Sequence, residues 1–167
     1  MKIGNKSLAT RRHKTLSLVR DDGTIDIVVC SAPQNYFRRL TNIGVYEVPK
    51  PPIGFKQGAG NKYLKDRNGE LIQFDNFDDP DYKRDAGIAI QRMIALRLRI
   101  HLADDPTVSF DAVAPTTDDL NDWCEYADKL VEEIRDCGLT DPEITEICNV
   151  GASLTNGFKI DEAIDSF

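Results

Sequence analysis

Few side chains in this 167-residue chain are of a type and spacing that could do chemistry. The two histidines are His13, in a basic stretch, and His101, at the end of an apolar run. Neither has a cysteine, a carboxylate or a second histidine at metal-ligand spacing, and His101 reads as a cation at the negative end of a helix dipole. Cys30, Cys124, Cys137 and Cys148 form no Cys-x-x-Cys pair, which points away from a zinc or dithiol site. The last three fall on apolar helical faces, so buried free thiols are expected. Asp75, Asp78, Asp79 and Asp81 would suit a calcium loop, but its third position is Phe77 and its sixth is Pro80, so the cluster reads as a helix-capping turn. Gly54, Gly58 and Gly60 match neither phosphate-loop spacing and read as a pliable loop. No Gly-x-Ser-x-Gly elbow occurs; Gly151-Ala152-Ser153 lies on an amphipathic pattern, where small residues mean close helix packing. The carboxylates of 118–136 read as a solvated helix face. No catalytic residue, metal site or cofactor is expected, and the chain does not read as an enzyme.

The charges, by contrast, are sorted along the length. Residues 1–65 hold 12 Lys/Arg against 4 Asp/Glu, and residues 104–167 hold 3 against 17, within a total of −7. Such sorting bears on partners rather than on fold. It suggests protein binding, including head-to-tail pairing with copies of the chain. Arg11, Arg12, Lys14, Arg20, Arg38 and Arg39, with Tyr36 and Phe37, are of the types that hold phosphates and stack bases. The acidic half repels a polyanion, so nucleic acid is the disfavoured partner. No run approaches the ~18 apolar residues of a membrane span, and no signal-peptide core follows the basic start.

The elements that would position these groups follow from pattern. Residues 1–12 read as a loose arm. Thr15–Val19 and Thr24–Cys30 alternate about Asp21-Asp22-Gly23, a hairpin signal. Residues 34–40 fit either a helical turn or a short edge segment. Residues 45–52 are proline-rich and extended. Tyr63–Lys65 and Glu70–Phe74 flank Asp66-Arg67-Asn68-Gly69, predicting a second hairpin with a type I′ Asn-Gly turn, and the two hairpins together suit one small sheet. No internal repeat is evident. Asp79-Pro80 opens a helix running to about Leu102 that is apolar nearly all round and so needs covering. Thr117 is the expected cap of a helix with apolar residues at Leu120, Trp123, Cys124, Ala127, Leu130, Val131, Ile134 and Cys137, closed by Gly138. Thr140-Asp141-Pro142-Glu143 opens another with a face of Ile144, Ile147, Cys148, Gly151 and Leu154. A last short helix carries Ile160, Ala163, Ile164 and Phe167. The fold class is α+β: a small N-terminal antiparallel β-hairpin sheet followed by a C-terminal helical bundle, divided as a basic β-rich part, 1–77, and a helical acidic part, 78–167.

The layout of residues 45–167 resembles that of tail assembly chaperones of long-tailed bacteriophages. The matching pieces are Val48-Pro49-Lys50-Pro51-Pro52, Asp79-Pro80-Asp81-Tyr82, Gly138-Leu139-Thr140-Asp141-Pro142-Glu143-Ile144 and the end Ile160–Phe167. The resemblance implies a non-enzymatic factor in the host cytoplasm that shields the tape measure protein, or another tail protein, during tail assembly. Leu120, Trp123, Ile144, Ile147, Ile160 and Phe167 are the candidate client contacts, with Trp123 as the anchor, since large aromatics dominate interface energies. Two other classes stay open: a structural virion component of the tail or head-neck assembling through oppositely charged faces, and a nucleic-acid-binding regulator using the basic part.

Overall fold

Alternation in β3 (His13–Arg20) and β4 (Gly23–Cys30) produces an antiparallel hairpin in the computed structural model of the chain. The structure describes residues 11–156 except Asp22, together with the backbone of β1 (Lys2–Ile3) and β2 (Lys6–Ser7), which pair antiparallel. The rest of the arm expected over residues 1–12, and the final helix expected after residue 157, lie outside the described residues. Arg11 is not loose: it donates to the Ser31 carbonyl at 2.7 Å, to the Ile100 carbonyl at 2.6 Å and to Asp104 at 2.7 Å.

The β3–β4 register pairs Leu16 with Ile27 and Leu18 with Ile25, which puts the apolar side chains on one face. Gly23, with φ at 144°, opens β4 in a conformation that L side chains rarely adopt. After Pro33 the chain forms helix α1 (Tyr36–Ile43), which settles the ambiguity of residues 34–40 and ends at Gly44 in the left-handed region. Three longer helices follow: α2 (Pro80–His101), α3 (Leu120–Asp136) and α4 (Asp141–Asn156). The architecture is the mixed α+β class expected from the sequence.

The helix starts are set by side chains. Asp79 accepts from the Tyr82 amide at 2.9 Å, as a cap before Pro80 should. At α3 the cap is Asp119 rather than Thr117: its carboxylate takes the Asn121 amide at 2.8 Å and the Asp122 amide at 3.3 Å. Thr117 instead offers its carbonyl to Trp123 Nε1 at 2.9 Å and its hydroxyl to Asp122 at 2.6 Å. Glu143 reaches back to the Thr140 amide and hydroxyl, both at 2.8 Å, which is the returning half of a capping box.

The chain divides into two compact units, one of residues 1–46 and 92–167, the other of residues 47–91. The described core belongs to the first: Leu18, Ile27 and Val29 of the hairpin, Leu40 of α1, Leu96 and Leu98 of α2, Trp123 and Leu130 of α3, and Ile147 of α4. Gly151 brings α4 onto His101 so closely that a Cβ there would lie 2.2 Å from the ring, which is the close packing expected of the Gly-Ala-Ser stretch. His101 is not the helix-end cation expected. It is buried, its Nδ1 lies 2.8 Å from the Cys30 carbonyl, and burial, aided by Arg97 and Arg11, pushes its pKa below the usual histidine value. Of the thiols, Cys30 and Cys148 are buried and Cys124 partly so, but Cys137 is exposed, because α3 ends there and the stripe runs out.

The second unit is built differently. β5 (Ile53–Phe55) pairs with β6 (Gln73–Asp75), and these form a sheet separate from the first hairpin. Three backbone bonds close a ring: Lys56 N–H to the Ile72 carbonyl at 2.9 Å, Leu64 to Lys56 at 2.8 Å, and Ile72 to Leu64 at 3.0 Å. The participants are eight residues apart. The turn at 66–69 is also not type I′. Asn68 lacks the positive φ that type requires; Gly69 alone has it, at 86°, and Asp66 Oδ1 accepts the Asn68 and Glu70 amides at 2.8 and 2.9 Å.

Candidate protein-binding surface

The six expected contact residues do not form one exposed face. Trp123 is 3% exposed: its ring packs edge-on to Tyr126 at 5.7 Å between centroids, and the Arg39 guanidinium lies 5.5 Å above it. Ile147 is fully buried and Ile144 is half-buried against the core. Among the described candidates, Leu120, 44% exposed at the start of α3, is the one presented to solvent. Ile160 and Phe167 lie outside the described residues. The helical stripes of α3 and α4 are satisfied within the fold, which is why periodicity marked them.

The charge sorting also finds partners inside the chain. Arg11 and His13 both meet Asp104, at 2.7 and 2.8 Å; Arg20 meets Glu143 at 3.0 Å; Arg39 meets Asp118 at 2.6 Å. Burial alone would raise the Asp104 pKa, but the His13 bond and the Arg11 charge hold it below the ordinary aspartate value. Within α2 and α3, Arg92 grips Asp128 through two bonds of 2.7 Å each. A cleft lined by Arg11, Arg12, Arg38, Tyr36 and Phe37 brings together part of the basic aromatic set, but Arg11 is wholly engaged by protein acceptors. Among the described residues no three His, Cys, Asp or Glu side chains are grouped to hold a metal ion, and no helix is long and apolar enough to cross a membrane.

The surface that stands out lies in residues 47–91. Ala86 is the one buried residue in this unit. Its large apolar side chains face solvent, led by Ile53 at 61%, Phe77 at 59% and Tyr63 at 54%, with Phe55, Leu64, Leu71 and Phe74 also exposed. The rings that touch do so at the surface, Phe55 with Tyr63 at 6.1 Å and Phe77 with Tyr82 at 5.9 Å. On α2, Ile88 and Ile90 of this unit are exposed as well. Single exposed apolar residues need no explanation, but a cluster of this density does. The sequence carried a signal for it: Phe55, Tyr63 and Leu71 recur at the eight-residue spacing of the backbone ring, amid glycines and prolines that supply no covering helix.

Comparison of the chain with protein-family models, with curated proteins and with solved structures found no match.

Proposed function

We propose that the chain is a non-enzymatic protein-binding factor that shields an apolar segment of a client protein, and that the client is a tape measure or other tail protein of a long-tailed phage. One observation carries the protein-binding part: residues 47–91 hold exposed aromatic and aliphatic side chains with no core of their own. An apolar or amphipathic client helix is the occupant that suits such a surface, since the short strands leave their apolar side chains in the open rather than in a deep pocket. The phage part rests on the layout of residues 45–167, in which the proline-rich segment and the Asp-Pro-x-Tyr turn flank the strands of this unit.

The test is co-expression of the tagged chain with its neighbouring genes, followed by capture and mass spectrometry. Capture of a long helical protein by the native chain, and its loss from an Ile53→Ser, Tyr63→Ser, Phe77→Ser variant that keeps its far-ultraviolet circular dichroism, supports the reading. Equal capture by both chains sinks the assignment to this surface. Recovery of virion subunits or nucleic acid alone moves the function to a structural component or a regulator.

A further inference from the structure

The β3–β4 hairpin has two edges, and they are treated differently. The Ser31 amide donates to the Arg12 carbonyl at 2.8 Å, one step beyond the His13–Cys30 pair, and this fixes the alternation along both strands. Lys14, Leu16, Leu18 and Arg20 turn their amides and carbonyls toward β4. His13, Thr15, Ser17 and Val19 turn theirs outward, as Thr24, Asp26, Val28 and Cys30 do on the far side. The β4 edge is closed by the end of α2 and the residues after it: the Asp105 carboxylate accepts the Val28 amide, and His101 Nδ1 donates to the Cys30 carbonyl at 2.8 Å. The β3 edge has no such cover. Thr15, Ser17 and Val19 are exposed, Val19 to 81%, and among the described residues no hydrogen bond reaches their outward amides and carbonyls. Residues 15–19, Thr-Leu-Ser-Leu-Val, hold neither a proline nor a charge to blunt the edge. Such a strand is a template for another strand.

The charges at the two ends of β3 select which strand. Arg11 and His13 are paired with Asp104, and Arg20 with Glu143. Lys14 at one end and Asp21 at the other are exposed and make no ion pair among the described residues. An antiparallel copy of β3 brings these opposite charges together twice, once on each side of a two-fold axis. Charge also sets the register. Pairing centred on Ser17 would put Lys14 opposite Arg20 of the other copy, a like-charge pair. Pairing centred on Leu18 keeps the outward amides in step, with Ser17 opposite Val19 and Thr15 opposite Asp21, and brings Lys14 beside that aspartate.

We propose that two copies of this chain pair through the open edge of β3, antiparallel and centred on Leu18, so that their hairpins join into one continuous sheet. The pairing is isologous, and it needs no client.

The test is sedimentation equilibrium of the full chain from about 1 μM to about 1 mM, with residue-resolved hydrogen exchange at both ends of the range. The mass should double across the series. The amides of Thr15, Ser17 and Val19 should gain protection in step with the dimer fraction, while those of Leu16 and Leu18, bonded to β4, are protected throughout. Only an added strand produces that alternation. Ser17→Pro removes an outward donor at a position where an edge strand tolerates proline, and should abolish the dimer while far-ultraviolet circular dichroism is retained. Lys14→Glu, on an exposed side chain, should raise the dimer dissociation constant about tenfold, because the two-fold axis repeats each lost pair. A single-chain mass at every concentration overturns the proposal, as does a dimer in which these three amides stay unprotected or one undiminished in either variant. Protection of the three amides in a monomer also overturns it, since the edge would then be covered from within the chain. With no client in the assay, each of these results leaves the surface of residues 47–91 to its own test.

Discussion

The β3–β4 hairpin and the small strands of residues 53–75 begin from similar material, short antiparallel segments rich in branched and aromatic residues, and end in opposite conditions. In the hairpin, Leu18, Ile27 and Val29 are buried beneath helices that include α4. In the second unit, Ile53, Phe55, Leu71 and Phe74 remain in water although their backbone is hydrogen-bonded just as completely as a small sheet requires. Strand pairing satisfies amides and carbonyls; it does not by itself remove apolar surface, and two or three short strands have no second layer to do so. The burial in this molecule comes from its helices, and the proposed client surface lies on the unit whose apolar side chains no layer covers.

The largest effect that would sharpen this comparison is in the first unit. Trp123→Ala removes a ring packed between Tyr126 and Arg39 and should cost about 3–5 kcal/mol in urea denaturation. A cost under about 1 kcal/mol would mean the ring is not core. Next, Gly151→Ala forces a methyl into the His101 ring and should cost about 1–3 kcal/mol. Combined with His101→Ala the penalty should be less than additive, since the two side chains compete for one space.

A pH dependence comes third. The folded His101 has its pKa lowered from 6.5 by burial, so below pH 6.5 the unfolded chain binds a proton that the folded chain resists. Stability therefore falls with pH from there until the folded pKa is reached, and His101→Gln should flatten that part of the profile. Asp104 and Asp105, both lowered from 3.8, add a second loss as pH drops further, through their folded pKa values. A profile level from pH 7 to 4.5 would contradict the neutral buried histidine. The smallest effect distinguishes the second unit: Ile53→Ser, Tyr63→Ser or Phe77→Ser, each on an exposed side chain, should change stability by no more than about 0.5 kcal/mol while removing client capture. A loss of several kcal/mol would show that these groups are structural.

Much of the first unit was legible because its signals are local. The hairpin followed from alternation about Asp21–Gly23, and α3 and α4 from an apolar stripe bounded by caps and Gly138. Trp123 and Ile147 were marked by the same stripe, but a stripe states only that a face is covered, and here the fold itself covers it. His101 was misjudged because its environment comes from Cys30 and Gly151, which are distant in sequence. Cys137 lies one residue past the helix end, where periodicity no longer predicts burial. The surface of residues 47–91 was obscured because hairpin signals fix pairing, not layering. Whether Phe55 or Phe77 is covered depends on elements that segment does not contain.

Hydrogen exchange of the chain, alone and with the captured client bound, tests the central claim most directly. Amides of residues 53–75 and of the start of α2 are expected to exchange readily in the free chain and gain protection in the complex, while those of Leu98 and Leu130 are protected throughout. Protection gained over α3 and α4 instead, with residues 53–91 unchanged, would contradict it.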